Sequence, residues 1–184
     1  MLKYLGYLIQ LILSPGKGWD DIALSNLTPK SVAADGYYPL LGVASCSVFV
    51  QYLYDSDLTL PVLVESAVIT FVVYFISYFI ASFMFAVFGG RLIKSVPDEK
   101  RYNLFILFNL SILVMIEILK NCLPMSLSLV EFLPLFVLLV MWMGHRYLDV
   151  EPGKEGSFTI FCGLAILAPP FLLDFLFKLL LPSN

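Results

Sequence analysis

The sequence predicts an all-α membrane protein, a polytopic bundle of five transmembrane helices preceded by an N-terminal interfacial helix. Three observations lead there. The 184 residues are 60% hydrophobic and only 14% charged, with a mean hydropathy of +0.90; a soluble domain runs nearer 45–50% apolar and about 25% charged. Apolar runs of spanning length alternate with short polar loops, and within hydrocarbon only helices or closed barrels satisfy their own backbone. Finally, nine of the eleven Lys and Arg residues fall on one side once five segments are laid out in order.

The first stretch, Met1–Leu13, is apolar apart from Lys3, Gly6 and Gln10. Thirteen helical residues cover about 20 Å, short of the roughly 30 Å hydrocarbon core. No small-x-small cleavage site follows, so it reads as a retained interfacial helix. Lys3, Gln10 and Lys17 share a face, and Trp19 suits the headgroup layer. Pro15 to Gly18 breaks this helix, and Asp20–Leu24 forms a short amphipathic piece. Thr28 caps a further helix that has Pro29 at its first position. That helix is expected to be brief, because Asp35-Gly36-Tyr37-Tyr38-Pro39 is turn chemistry. Pro39 disfavours the α region for Tyr38, Gly36 allows an unusual backbone angle, and the tyrosines suit the headgroup layer.

Residues 1–36 are thus a cytosolic and interfacial region, and 37–184 a transmembrane domain. Segment one covers about 37–54 and stops at Asp55-Ser56-Asp57. Segment two, about 61–88, is longer than a bilayer is thick and closes at Gly89-Gly90. Pro97-Asp98-Glu99 reads as a helix first turn, opening segment three at about 101–121. Pro124 separates it from segment four, about 127–147. The exposed turn Glu151–Gly156 follows, and Ser157 is a plausible cap for segment five, about 158–181. Pro169-Pro170 interrupts that last segment. Broken helices can build transporter ion sites; a kink whose freed carbonyls find other partners is the simpler outcome.

With five spans the termini lie on opposite sides. Lys3, Lys17, Lys30, Arg91, Lys94, Lys100, Arg101, Arg146 and Lys154 share the N-terminal side, and only Lys120 and Lys178 lie on the other. Basic residues in short loops mark the cytoplasmic face. The N-terminus is therefore expected in the cytoplasm and the C-terminus outside.

Four acids, Glu65, Glu117, Glu131 and Asp174, sit on four segments at similar outer depth. Ionisable groups inside a membrane are candidate functional residues. They suggest an outward acidic vestibule for a proton, cation or amine. The plainer reading is that each reaches interfacial water, with Lys120 and Lys178 pairing two of them. Asn109 is deeper and is expected to bond a neighbouring helix. Ser66, Thr70, Ser77 and Ala81 form a small-residue seam on segment two. Of three cysteines, Cys46 and Cys162 read as core and Cys122 as a membrane-edge residue.

Chemistry is sparsely represented. The single His145 builds no metal site alone, and no catalytic or phosphate-binding motif appears. A net charge of −3 gives no sign of nucleic-acid binding. No enzyme activity, cofactor or metal is expected. The expected partners are membrane lipid and a cytosolic or membrane protein; a transporter of only five spans would need to homo-oligomerise.

These features resemble the Yip domain family of Ypt/Rab-interacting membrane proteins, in its bacterial type. Asp35-Gly36-Tyr37-Tyr38-Pro39 matches the family's Asp-Leu-Tyr-Gly-Pro-like motif at Asp35, Tyr37 and Pro39. Leu13-Ser14-Pro15-Gly16-Lys17-Gly18-Trp19-Asp20-Asp21-Ile22 resembles the lead-in of bacterial members, and a Thr28-Pro29 step precedes the first span. Where the family carries a Gly-Tyr…Pro element, this chain has Arg101-Tyr102-Asn103-Leu104. The resemblance implies five spans, a cytosolic N-terminal region and an outward C-terminus in a bacterial inner membrane. It further implies a non-enzymatic role in organising membrane or recruiting partners. The alternative is a small transporter or channel using the acidic cluster.

Overall fold

A helix that is apolar on every side has to be surrounded by protein or lipid. In this chain one helix is surrounded by protein. The computed structural model describes residues 2–55, 57–93, 98–123, 130 and 132–181. At its centre is a helix (α6, Glu99–Cys122), in which every residue from Leu104 through Val114 is buried. The other elements pack around it. They are α1 (Leu2–Leu13), α2 (Pro15–Leu24), α3 (Pro29–Val32), α4 (Tyr38–Ser47), α5 (Leu60–Phe88), α7 (Leu133–Met143), α8 (Glu155–Cys162) and α9 (Ala168–Leu180). The described residues form no β-strand, only an isolated bridge between Ile93 and Val150. The all-α prediction holds.

Side-chain contacts along α6 give each neighbour's direction. Residues 29–53 form one unbroken helical run, in which Tyr37 lies beside the middle of the bundle and Gln51 meets Asn121. This run is therefore parallel to α6. Helix α5 is antiparallel, since Ser82 bonds Asn103 and Tyr74 reaches the Leu113 carbonyl. The α8–α9 run is parallel again, with Phe158 against Phe105 at one end and Phe171 beneath Lys120 at the other. Helix α7 returns antiparallel and brings Gly144 against Phe105.

Three stretches are long and apolar enough to cross a membrane: Leu60–Arg91, Glu99–Cys122 and Glu155–Leu180. Their limits match segments two, three and five to within about one turn. The last begins at Glu155, ahead of Ser157, with Lys154 in the cap position. The predicted count of five is not reached by this measure. Segment one lies in the 29–53 run, whose polar entry lowers its hydropathy. Segment four is represented by an 11-residue helix followed by turns at 144–149; 127–129 and 131 fall outside the described residues. The long helices turn large apolar side chains outward, among them Val68, Phe79 and Phe83 on α5 and Leu172 and Phe175 on α9. Lipid, not protein, suits that surface.

The predicted turn at Asp35–Pro39 is overturned. Tyr38 is helical (φ −65°, ψ −42°), and the chain passes through Asp35–Pro39 without turning. Pro169-Pro170 likewise lie within a continuous helix. In each case a π-helical segment precedes the proline, Ala33–Tyr37 and Gly163–Leu167. The Tyr38 N–H bonds the Ala33 carbonyl and the Ala168 N–H bonds the Gly163 carbonyl, five residues back. A proline ring strikes the carbonyl four residues earlier in a regular α-helix. One added residue in the preceding turn relieves that clash while the helix continues.

The N-terminal helices pack against the bundle. Thr28 does cap α3, accepting from the Ser31 N–H at 3.2 Å with Pro29 following. Trp19 is 2% exposed, so its ring is covered by protein. Its indole stacks between Phe105 (4.9 Å) and Tyr147 (5.1 Å) and donates to the Val140 carbonyl at 3.0 Å. Tyr4 is buried against Phe108 and hydrogen-bonds Ser111. Burial pushes its hydroxyl above the usual tyrosine range, an effect the Ser111 bond partly offsets. Gln10 ties α1 to Asp21 on α2. Cys162 is core as expected, whereas Cys46 is exposed on the outer face of α4.

Two glycines permit these close approaches. A Cβ at Gly36 would lie 2.6 Å from the Tyr4 ring; one at Gly144 would overlap the Phe105 ring and sit 3.1 Å from Trp19 Nε1. Gly144→Ala should therefore cost about 1–3 kcal/mol by overpacking. Reversible unfolding in mixed micelles would show this as a lower midpoint, and an unchanged midpoint would mean that the pocket around Trp19 is loose.

Candidate functional site

Residues three or four apart share a helix face. On the last turns of α6 that spacing aligns Glu117, Lys120 and Asn121. On α9 it aligns Pro170, Asp174 and Lys178. The two faces meet with Thr70 and Tyr74 of α5 and with Gln51 around a cavity of about 410 Å3. Phe171, Leu123 and Val130 complete the apolar part of its wall. The cavity lies at the end of the bundle that carries the two isolated lysines.

Of the four predicted acids, Glu117 and Asp174 share this cavity. Glu65 is half-buried on α5 and is not among the cavity's lining residues. Glu131 lies outside the described residues. Each cavity acid has the local partner expected: Lys120 is 3.8 Å from Glu117, and Lys178 is 2.7 Å from Asp174. These pairs are half-exposed and follow the helix backbone, so each contributes at most about 0.5 kcal/mol.

Stronger constraints come from amides. Asn121 accepts from Gln51 Nε2 at 2.6 Å and donates to Ser47 Oγ at 2.9 Å; Ser47 in turn donates to the Ala44 carbonyl at 2.7 Å. Nearby, the Tyr54 hydroxyl donates to the Cys122 carbonyl at 3.0 Å. This chain of bonds pins the end of the 29–53 run to α6 and fixes one cavity wall. Gln51 is not among the residues expected from the sequence, although a lone amide near the end of an apolar segment is a signal for such a contact. Asn109 was expected to bridge helices; its amide instead donates to the Phe105 carbonyl of its own helix at 2.8 Å.

The residues of the Asp35–Pro39 motif separate by role. Tyr37 is fully buried and donates to the Tyr74 carbonyl at 2.8 Å, so it is a helix-to-helix anchor and not a headgroup tyrosine. Asp35 and Pro39 are exposed, and Asp35 accepts from Ser31 Oγ at 3.0 Å. In the small-residue seam, Ser77 and Ala81 are buried and Ser66 and Thr70 half-buried.

At the opposite end the connecting segments are joined. Ile93 pairs with Val150, the Glu151 N–H donates to the Leu92 carbonyl at 3.0 Å, and Lys154 reaches the Arg91 carbonyl at 3.2 Å. Arg101 donates to the Tyr147 carbonyl at 3.4 Å. With Ile22 and Ser25 of the N-terminal region, Arg101 and Tyr147 line a smaller cavity of about 170 Å3. Among the described residues no group of three His, Cys, Asp or Glu side chains is placed to hold a metal.

Asn121→Leu should remove both amide bonds and leave Gln51 and Ser47 without their partner, a loss of about 1–2 kcal/mol. A double-mutant cycle with Gln51→Leu checks it; strictly additive effects would mean that the 2.6 Å bond contributes nothing. Comparison with protein-family models, with curated proteins and with solved structures found no match to this chain.

Proposed function

We propose that the chain is a non-enzymatic integral membrane protein of Yip type. It has five spans, its N-terminus lies in the cytoplasm of a bacterial cell and its C-terminus lies outside. Its role is to organise membrane or recruit partners at the cytoplasmic face. The observation that supports this most is the joined end of the bundle. Two loops rich in Lys and Arg are paired at Ile93 and Val150, and the N-terminal helices dock beside them through Trp19. A surface whose parts are held in register suits protein recognition, because little ordering is left to be done on binding. The alternating directions of the five passes about α6 also favour this arrangement.

Substituted-cysteine labelling in a background without the native cysteines tests the orientation. Lys30→Cys and Lys154→Cys should react only with reagent that reaches the cytoplasm, and Lys178→Cys with impermeant reagent outside. The opposite pattern would reverse the proposal. For recruitment, photo-crosslinkers at the exposed Asp35 and Pro39 should capture a discrete partner. Tyr37 is unsuitable for that purpose because its loss would loosen α4 from α5.

The cavity favours a second reading, a small transporter that uses Glu117 and Asp174. Proton- or cation-coupled flux in liposomes, lost in Glu117→Gln and Asp174→Asn, would establish it. Absence of flux in folded, inserted protein would leave the recruitment role.

A further inference from the structure

The cavity between α6 and α9 has an unusual charge arrangement. Each helix brings one carboxylate and one ammonium to the same 410 Å3 space. At present the charges are matched within each helix, between neighbours one turn apart. Such pairs are weak and screened by salt, so a ligand can take over their partners at small cost. The lining is neutral in sum. A purely anionic guest leaves two carboxylates repelling it, and a purely cationic guest meets two lysines. A guest with both charges a few bonds apart satisfies all four. The volume falls within the range of small-ligand sites.

Position narrows the guest further. The cavity runs from Tyr74 and Pro170, well inside the bundle, toward the last turns of α6 and α9, where Lys120 and Lys178 stand near the end of the membrane-length stretches, the level at which lipid headgroups lie. Phe171 forms part of its wall while being 48% exposed, and Phe175, one turn on, is also exposed. The polar cavity thus opens onto an apolar helix face. An ammonium with three N–H donors can serve two carboxylates at once, whereas a quaternary ammonium has no donor to offer. We propose that this cavity binds the headgroup of a phosphatidylethanolamine-class lipid, with Glu117 and Asp174 taking its ammonium and Lys120 and Lys178 its phosphate. The inference uses the cavity but not the transport reading: a protein that carries no flux can still hold this lipid.

The test is binding of short-chain lipids to the purified full chain in detergent, followed by calorimetry and by thermal shift. Dioctanoyl phosphatidylethanolamine should bind saturably and at least about tenfold more tightly than dioctanoyl phosphatidylglycerol or phosphatidylcholine, the scale of one charge-assisted hydrogen bond. Glu117→Gln with Asp174→Asn should erase that preference, and Lys120→Gln with Lys178→Gln should weaken all phosphate-bearing lipids alike. Equal affinity of the wild type for the three lipids overturns the proposal without recourse to any variant. Free phosphoethanolamine binding as tightly as the lipid would also overturn it, showing a site for a soluble zwitterion. Retained preference in the folded acid-to-amide variant would place the headgroup elsewhere.

Discussion

Everything in this protein is arranged about the burial of α6. A membrane helix is usually covered by protein on one side and by lipid on the other, and that asymmetry is what α5 and α8–α9 display. Helix α6 has no lipid side over most of its length. Neighbours must cover it all round, and the 29–53 run, α5, α7 and the α8–α9 run are too few to do so at the half near Glu99. Helices α1 and α2 fill the remaining space. Tyr4, Leu8, Leu11 and Trp19 are accordingly as buried as any residue of the membrane-length helices. Packing of this kind tolerates little change in volume, which is why Gly36 and Gly144 stand where aromatic rings pass closest.

The polar groups of α6 show how such a helix is tolerated. Ser111 and Asn109 donate to carbonyls one turn back, and Ser111 also bonds Tyr4 of α1. Asn121 and Asn103, nearer the ends, bond across to other helices. Polarity near the ends helps to specify which helix lies where. The two π-helical segments do related work for prolines. They let Pro39 and Pro169 remain inside long helices without a bend large enough to expose backbone to lipid.

Much of this architecture was legible in the sequence. Apolar run length located α5, α6 and the α8–α9 run, because hydrocarbon thickness acts on composition directly. Thr28-Pro29 announced a helix start through capping chemistry that depends on adjacent residues, and the acids Asp98 and Glu99 marked the start of α6, where Asp98 proves to be the cap. The misread turn has a physical cause. The turn signals at Asp35–Pro39 are rules for local or exposed sequence. Here tertiary packing outweighs them: a continuous helix covers α6 better than a turn would. The cavity was half visible. Spacing along each helix predicted the pairings of Glu117 and Asp174, but depth alone could not separate these two from Glu65, because that depends on which faces of α6 and α9 turn toward each other.

The seat of Trp19 also bears on the order in which the chain is built. Its indole bonds a carbonyl 121 residues further along the chain, and Tyr4 bonds a hydroxyl 107 residues on. When the first two helices leave the ribosome, the surface that will receive them has not been synthesised. Their seat is complete only once the chain has been made as far as Tyr147. Helices α1 and α2 are therefore made well before the surface that seats them.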